Sequence, residues 1–140
     1  MHVLVCDDDK DVGGFLTTLF DLEGWQTELV TSGEDCLATV SGEEPPDALV
    51  LDQLMPGLTG IETADQLRAG GYRRPIILCS GHLGPELAGD IARLDLTPCN
   101  KIDLEALVRL VRNAAREADA VARRKTRKKP TRAGSARPSR

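Results

Sequence analysis

Residues 48–60 have the sequence ALVLDQLMPGLTG, and this stretch decides the fold. Its first four residues are all apolar, with no alternation, which predicts a strand buried on both faces. The run ends at Asp52, a carboxylate that is stable at a buried strand end only beside a cation or hydrogen-bond donors. The proline–glycine pair that follows predicts a turn, and Thr59 with Glu62 predicts a capping box that begins a helix. Open α/β sheets carry their chemistry where such a strand ends.

The same succession of strand and helix recurs along the chain. Segments with helical spacing of apolar residues separate the short apolar runs, and a last helix follows the fifth run. This alternation predicts an α/β fold, a doubly wound five-stranded parallel sheet with five helices. The other four predicted strands cover residues 2–6, 25–31, 75–79 and 96–99.

The charge of the chain is strongly asymmetric. The 140 residues carry a net charge of −4, but residues 1–120 hold 22 acidic and nine basic residues, a net −13. Residues 123–140 hold the other nine basic residues and no acid. We therefore predict one domain over residues 1–121 and a basic, disordered tail over residues 122–140. No apolar run has membrane-spanning length and no signal peptide is apparent, so we expect a cytoplasmic protein.

Polar side chains that could carry chemistry stand at the carboxyl ends of four of the five predicted strands. They are Asp7 and Asp8 after the first strand, Asp52 after the third, Ser80 after the fourth and Lys101 after the fifth. In a parallel sheet these ends share one edge, where three carboxylates would repel one another strongly. A hard cation such as Mg²⁺ relieves that repulsion, and a lysine can hold a phosphoryl oxygen. The pattern indicates a carboxylate nucleophile for phosphoryl transfer.

This pattern resembles the receiver domain of two-component response regulators. The resemblance rests on the paired acids Asp7 and Asp8, on Asp52 within Asp-x-x-Met-Pro-x-x-x-Gly, and on Ser80 and Lys101 in matching order and spacing. It covers residues 2 to about 120. It implies a flavodoxin-like sheet of order 2-1-3-4-5, for which a chemotaxis receiver is a known example.

The resemblance also implies roles for individual residues. Asp52 would accept the phosphoryl group, and Mg²⁺ would be held by Asp8, Asp52 and the backbone carbonyl of Leu54, with Asp7 acting partly through water. Lys101 would contact the phosphoryl group and Ser80 would reorient towards it.

The implied partners are a sensor histidine kinase or a histidine phosphotransfer protein, and an output protein reached by direct contact. Such a protein is a single-domain regulator or a phosphorelay shuttle. It is not an enzyme, since it catalyses only its own phosphorylation and dephosphorylation.

Three positions depart from the family pattern. Lys101 is followed by Ile102 where members usually have proline, Pro98 replaces the switch aromatic, and Leu94 replaces a glycine. Proline lacks an N–H for the sheet ladder, which suits an edge strand. These departures leave the phosphorylation pocket intact but change the usual relay from pocket to output surface.

Two other functions remain open. The nine cations in the last 18 residues could bind nucleic acid in a salt-sensitive way, although that segment has no aromatic residue and no known base-reading motif. The chain could also be a receiver that binds partners without being phosphorylated. The presence of all the acids, the serine and the lysine of the phosphorylation pocket counts against this alternative. A phosphohydrolase would need an acid at position 54, where the chain has leucine.

Overall fold

The computed structural model describes the backbone of residues 1–135 and the side chains of residues 1–124. Five strands alternate with five α-helices, and a short 3₁₀ turn at Pro85–Leu87 precedes the fourth helix. The strands are β1 His2–Cys6, β2 Gln26–Val30, β3 Ala48–Leu51, β4 Ile76–Ser80 and β5 Leu96–Asn100. The helices are α1 Lys10–Asp21, α2 Gly33–Val40, α3 Gly60–Ala69, α4 Ala88–Arg93 and α5 Leu104–Ser135.

All five strands are parallel and lie in the order β2-β1-β3-β4-β5, which confirms the predicted doubly wound, flavodoxin-like sheet. β3 lies at the centre, with all four of its residues buried, as the unbroken apolar run predicted. β5 is an edge strand, and Pro98 pairs there with Leu78. An edge position accommodates a proline because one side of the strand needs no ladder partner.

Each face of the sheet carries its own core. Alternate residues of β1 serve the two cores: Leu4 belongs to the one with residues of α2 and α3, and Val5 to the one with residues of α1 and α5. Parallel strands covered on both faces are apolar throughout for this reason. Leu107 and Val111 of α5 are fully buried and attach that helix to the sheet.

Helix caps lie around the acidic strand ends, and one of them is the predicted capping box. Asp9 accepts hydrogen bonds from the backbone N–H of Asp11 and Val12 at 3.0 and 3.2 Å. The capping box of α3 is complete: the Thr59 hydroxyl accepts from Glu62 N at 3.2 Å, and the Glu62 carboxylate accepts from Thr59 N at 2.9 Å. These caps fix where α1 and α3 begin, beside the acids that follow β1 and β3.

The last helix is longer than the sequence analysis expects. The backbone of α5 stays helical to Ser135, which corrects the expected disorder for residues 122–135. The physical reason is composition: residues 104–129 contain no glycine or proline and are rich in alanine, leucine, arginine and lysine, which favour helices. Residues 136–140 of the predicted tail lie outside the described residues, and the division at residue 121 stays a prediction.

No helix in the described part of the chain combines the length and the apolar character needed to cross a membrane.

The turn between α4 and β5 is held by an unusual backbone conformation and by one arginine. Among the described residues, Asp95 is the only one other than glycine with a positive φ, at 55°. The guanidinium of Arg68 donates to the carbonyls of Leu94 at 2.8 Å and Asp95 at 3.0 Å. Aspartate and asparagine tolerate this left-handed region better than other residues with a Cβ atom.

We predict that Asp95→Ala lowers the free energy of unfolding by about 1 kcal/mol. Alanine has no polar side chain to stabilise the left-handed conformation and so bears its full steric cost. Asp95→Asn keeps the tolerance and removes only the charge, so it serves as the matched control and stays close to wild type. Urea denaturation of the three proteins measures the effect. An asparagine variant as destabilised as the alanine variant would mean that charge, and not backbone conformation, decides the turn.

Candidate phosphorylation site

Three carboxylates meet at the carboxyl edge of the sheet. Asp7 and Asp8 follow β1 and Asp52 follows β3, which are neighbouring strands joined by a hydrogen bond from Asp52 N to the Cys6 carbonyl at 3.0 Å. One oxygen of each carboxylate lies within 4.8 Å of the others. Asp7 and Asp52 are buried, at 2% and 6% exposed, whereas Asp8 is open to solvent. The pairing of β1 with β3 therefore brings the three predicted acids together.

Lys101 supplies the positive charge of this cluster. Its Nζ lies 2.8 Å from Oδ2 of Asp7 and 3.2 Å from Oδ2 of Asp52. The Lys101 backbone N–H donates to the Ser80 carbonyl at 2.9 Å, which ties the end of β5 to the end of β4. The peptide bond after Lys101 is trans. The lysine thus contacts both buried carboxylates even though the next residue is isoleucine and not the proline usual in the family.

The titration behaviour follows from burial and from these neighbours. Burial raises the pKa of Asp52 and the nearby Asp7 raises it further, while Lys101 opposes the increase without cancelling it. For Lys101, burial alone would lower the pKa, but its contacts with Asp7 and Asp52 reverse the direction and raise it. The charged form of the lysine is therefore favoured, whereas the ionised form of the Asp52 carboxylate carries a net free-energy cost that the lysine reduces.

Ser80 ends β4 with a buried hydroxyl. It is 1% exposed, and its Oγ has no hydrogen-bond partner among the described residues. A buried hydroxyl without a partner is costly, so the position gains stability when an oxygen-bearing group arrives next to it.

Leu54 contributes backbone and an exposed side chain. Its backbone N–H hydrogen-bonds the Asp52 carboxylate and lowers its pKa, against the larger, opposite effect of burial. Its side chain is 65% exposed. The predicted role of the Leu54 carbonyl as a metal ligand stays a prediction.

Two further residues position the site, and the role of one of them, Gln53, was not predicted from the sequence. Gln53 is buried, and its side-chain Oε1 accepts from Ile61 N at 2.8 Å, which fastens the start of α3 to the residue after Asp52. A Cβ atom at Gly60 would lie 2.4 Å from the Asp52 carbonyl oxygen, so only glycine allows this close approach. The glycine at the end of the Asp-x-x-Met-Pro-x-x-x-Gly pattern was visible in the sequence, whereas nothing local distinguishes Gln53 from a solvated glutamine.

The donor set suits a hard divalent cation. All three groups are carboxylates, two of them buried and one open to solvent, with room for water ligands on the exposed side. Mg²⁺ favours such oxygen ligands and keeps part of its water shell. Asp7, Asp8 and Asp52 therefore fit the predicted ion.

Comparisons with known proteins identify the same family. A family model described as the response regulator receiver domain matches residues 3–98. The response regulator MprA of Mycobacterium avium is 40% identical over 78 residues, and MprA of Mycobacterium tuberculosis is 38% identical over 78 residues. Each match covers 56% of this chain and 34% of the relative, so the chain spans about a third of the length of these relatives.

Solved structures support the fold over most of the chain. The receiver domain of the Francisella response regulator 1452 has a TM-score of 0.73 and 27% identity, covering 83% of this chain and 98% of that one. A CheY-like receiver from Methanospirillum hungatei has a TM-score of 0.78 at 16% identity, covering 85% and 96%. Thermotoga maritima TrrA, solved with Mg²⁺-BeF, has a TM-score of 0.71 at 23% identity, covering 81% and 97%.

The raised pKa of Asp52 predicts a pH dependence of stability. At a pH between the unfolded pKa of 3.8 and the raised folded pKa, the native state binds more protons than the unfolded state. The free energy of unfolding therefore falls as the pH rises through that range. Asp52→Asn lacks this group. We expect the free energy of unfolding of wild type, relative to Asp52→Asn, to decrease from pH 4 upwards in chelator-treated protein. A difference that increases with pH would show that Lys101 outweighs burial.

Mg²⁺ is expected to stabilise the protein by binding the native state alone. The thermal midpoint should rise with millimolar Mg²⁺ in wild type and much less in Asp8→Ala, which removes one carboxylate of the cluster. Asp11→Ala, an exposed acid in the first turn of α1, is the control and keeps the full rise. Equal midpoint shifts in wild type and Asp8→Ala would place the ion elsewhere.

Proposed function

Because this chain belongs to the response regulator receiver domain family, we propose that it accepts a phosphoryl group on Asp52 and signals in that form through protein contact. The donor is a sensor histidine kinase or a histidine phosphotransfer protein, and the reaction uses Mg²⁺. The chain works as a cytoplasmic signalling module and not as an enzyme that turns over a separate substrate.

The observation that carries this proposal is the contact of Lys101 with two buried carboxylates. The ammonium lies between Asp7 and Asp52 at 2.8 and 3.2 Å. In that position it favours the ionised form of Asp52, which is the nucleophilic form, and is close enough to hold a phosphoryl oxygen once the group is attached. A structural ion pair would need only one carboxylate for one ammonium.

The transfer follows from the chemistry of these groups. A carboxylate oxygen of Asp52 attacks the phosphorus of the phosphohistidine, the phosphorus–nitrogen bond breaks, and the imidazole leaves with the bonding electron pair and takes up a proton. The product is an acyl phosphate on Asp52. Lys101 neutralises charge on the phosphoryl oxygens, and the hydroxyl of Ser80, which has no hydrogen-bond partner among the described residues, donates to one of them.

The acidic cluster supplies the ligands for the ion. Asp7, Asp8 and Asp52 would hold Mg²⁺, together with the Leu54 carbonyl. When bound, the ion offsets negative charge on the carboxylates and on the incoming phosphoryl group.

Exposed apolar side chains border the acceptor and suit a protein donor. Leu54, two residues after Asp52, is 65% exposed, and Ile102, next to Lys101, is 83% exposed. Large apolar side chains at the rim of a charged pocket are suited to burial against a partner, and we propose that the donor docks over them. The output partner stays unassigned.

Phosphorylation at Asp52 can be tested with Mg²⁺ and a small acyl phosphate donor, using intact mass to detect the product. We expect wild type to gain one phosphoryl group and Asp52→Asn to gain none, because the amide is not a nucleophile. Lys101→Ala should react on the order of 100-fold more slowly, since it loses one charge-stabilising group.

Asp47→Asn provides the matched control, because Asp47 directly precedes β3 and so lies at the opposite end of the same strand. It should be labelled as wild type is. Labelling that persists in Asp52→Asn, or that is lost in Asp47→Asn while the protein remains folded, would contradict the assignment.

A further inference from the structure

A second charged feature lies at the other end of the sheet. A cavity of about 590 Å³ opens beside the amino ends of β4 and β5, where α5 passes the sheet. Its lining includes Arg68, Arg73 and Arg74 from the end of α3 and the loop before β4, and Arg124 from α5. None of these residues belongs to the phosphorylation site. We call these four side chains the arginine rim.

Three of the four arginines, Arg68, Arg73 and Arg74, are held in place by hydrogen bonds to backbone carbonyls. Arg68 donates through Nη1 to the carbonyls of Tyr72 and Arg74, at 3.0 and 2.8 Å. Arg73 donates to the carbonyls of Arg68 and Tyr72 at 2.6 and 3.2 Å. Arg73 and Arg74 are exposed, and their bonds within the described part of the chain all come from Nη1. Their Nε and Nη2 groups are therefore available to an anion.

The charge balance favours an anion here more than elsewhere on the folded body. Three acids also line the cavity, Asp47, Asp95 and Glu117, and Asp47 is already paired with Arg74 at 3.1 Å. Four guanidinium groups against three carboxylates leave a small positive excess. Elsewhere in residues 1–122 there are 19 acidic and six basic residues. A polyanion therefore meets the least repulsion at the rim.

The basic part of α5 begins at this same place. Arg124 lines the cavity, and the helical backbone continues from it to Ser135. Residues 123–132 contain seven lysines and arginines and no acid. At 1.5 Å per residue they occupy roughly 14 Å of helix, or about one positive charge per 2 Å. Duplex DNA carries one negative charge per roughly 1.7 Å of its axis, a closely similar density.

We propose that the arginine rim and the basic end of α5 together form a binding surface for the phosphate backbone of nucleic acid. The surface lies at the amino edge of the sheet, opposite the Asp52 pocket, so both can be occupied at once. Arginine suits phosphate because its guanidinium can donate two parallel bonds.

The composition of the surface predicts binding without sequence preference. Residues 123–140 contain no aromatic side chain to stack on bases and no asparagine or glutamine to read adenine. An acidic protein segment is the other polyanion to consider, but an extended chain spans about 3.3 Å per residue and so carries at most about one charge per 3 Å. The similar spacing of charges along the basic end of α5 and along duplex DNA therefore favours nucleic acid.

The test is fluorescence anisotropy of the full chain with a labelled 20-base-pair duplex, in two unrelated sequences, from 25 to 200 mM NaCl. We expect equal affinity for both sequences and a slope of log affinity against log salt of about −5 to −8, from roughly six to nine phosphate contacts. Deletion of residues 123–140 should abolish binding. Arg73→Ala should weaken binding several-fold at 50 mM NaCl and reduce the slope by about 1.

Arg109→Ala is the matched control: Arg109 is an exposed arginine of α5 some 22 Å along the helix from Arg124, outside the arginine rim, and its loss should leave affinity unchanged. Thermal unfolding establishes that each variant is folded. Binding that survives the deletion, or that falls equally in Arg73→Ala and Arg109→Ala, would overturn the proposal. So would competition by poly-glutamate as effective as competition by unlabelled duplex, which would indicate an acidic protein partner.

Discussion

The contact between Lys101 and the buried carboxylates of Asp7 and Asp52 is the interaction on which the site depends. Two buried acids side by side are unfavourable, and a single ammonium at 2.8 and 3.2 Å makes their ionised forms tolerable. The arrangement requires three non-adjacent segments to end at one edge, which a parallel sheet of order 2-1-3-4-5 provides. Lys101 does not fully compensate for burying these polar groups. The pKa of Asp52 is still raised, and the Ser80 hydroxyl still lacks a hydrogen-bond partner among the described residues. An incoming cation and phosphoryl group can satisfy both.

The fold also separates two kinds of charge. The acidic cluster lies at the carboxyl edge of the sheet, whereas the arginine rim and the basic end of α5 lie at the amino edge. α5 connects them: it begins just after Lys101, packs on the sheet through Leu107 and Val111, and runs on to Ser135. A basic segment placed beside the acidic pocket would compete with Mg²⁺ and with the phosphoryl group for its carboxylates. Distance along one helix avoids that competition.

Most of the sheet and the pocket could be predicted because the relevant signals are local. Unbroken apolar runs mark strands buried on both faces, and the polar residues that end them necessarily share one edge. Features that depend on distant contacts could not be predicted. The bond from Gln53 to Ile61 N and the positive φ of Asp95, held by Arg68, arise only once α3 and β5 are assembled. The extent of α5 was missed for a different reason: the lack of apolar residues suggested disorder, while alanine, arginine and lysine favour helix.

The central claim is that Asp7, Asp52, Ser80 and Lys101 act as one phosphoryl-binding unit. The most direct measurement is a ¹H–¹⁵N NMR titration of the full chain with Mg²⁺ and beryllofluoride, which imitates a phosphoryl group on a carboxylate. The account predicts that the amides of Asp52, Ser80 and Lys101 shift together and most strongly, and that the shifts vanish in Asp52→Asn. Shifts that persist in Asp52→Asn, or that leave Ser80 and Lys101 unchanged, would contradict it.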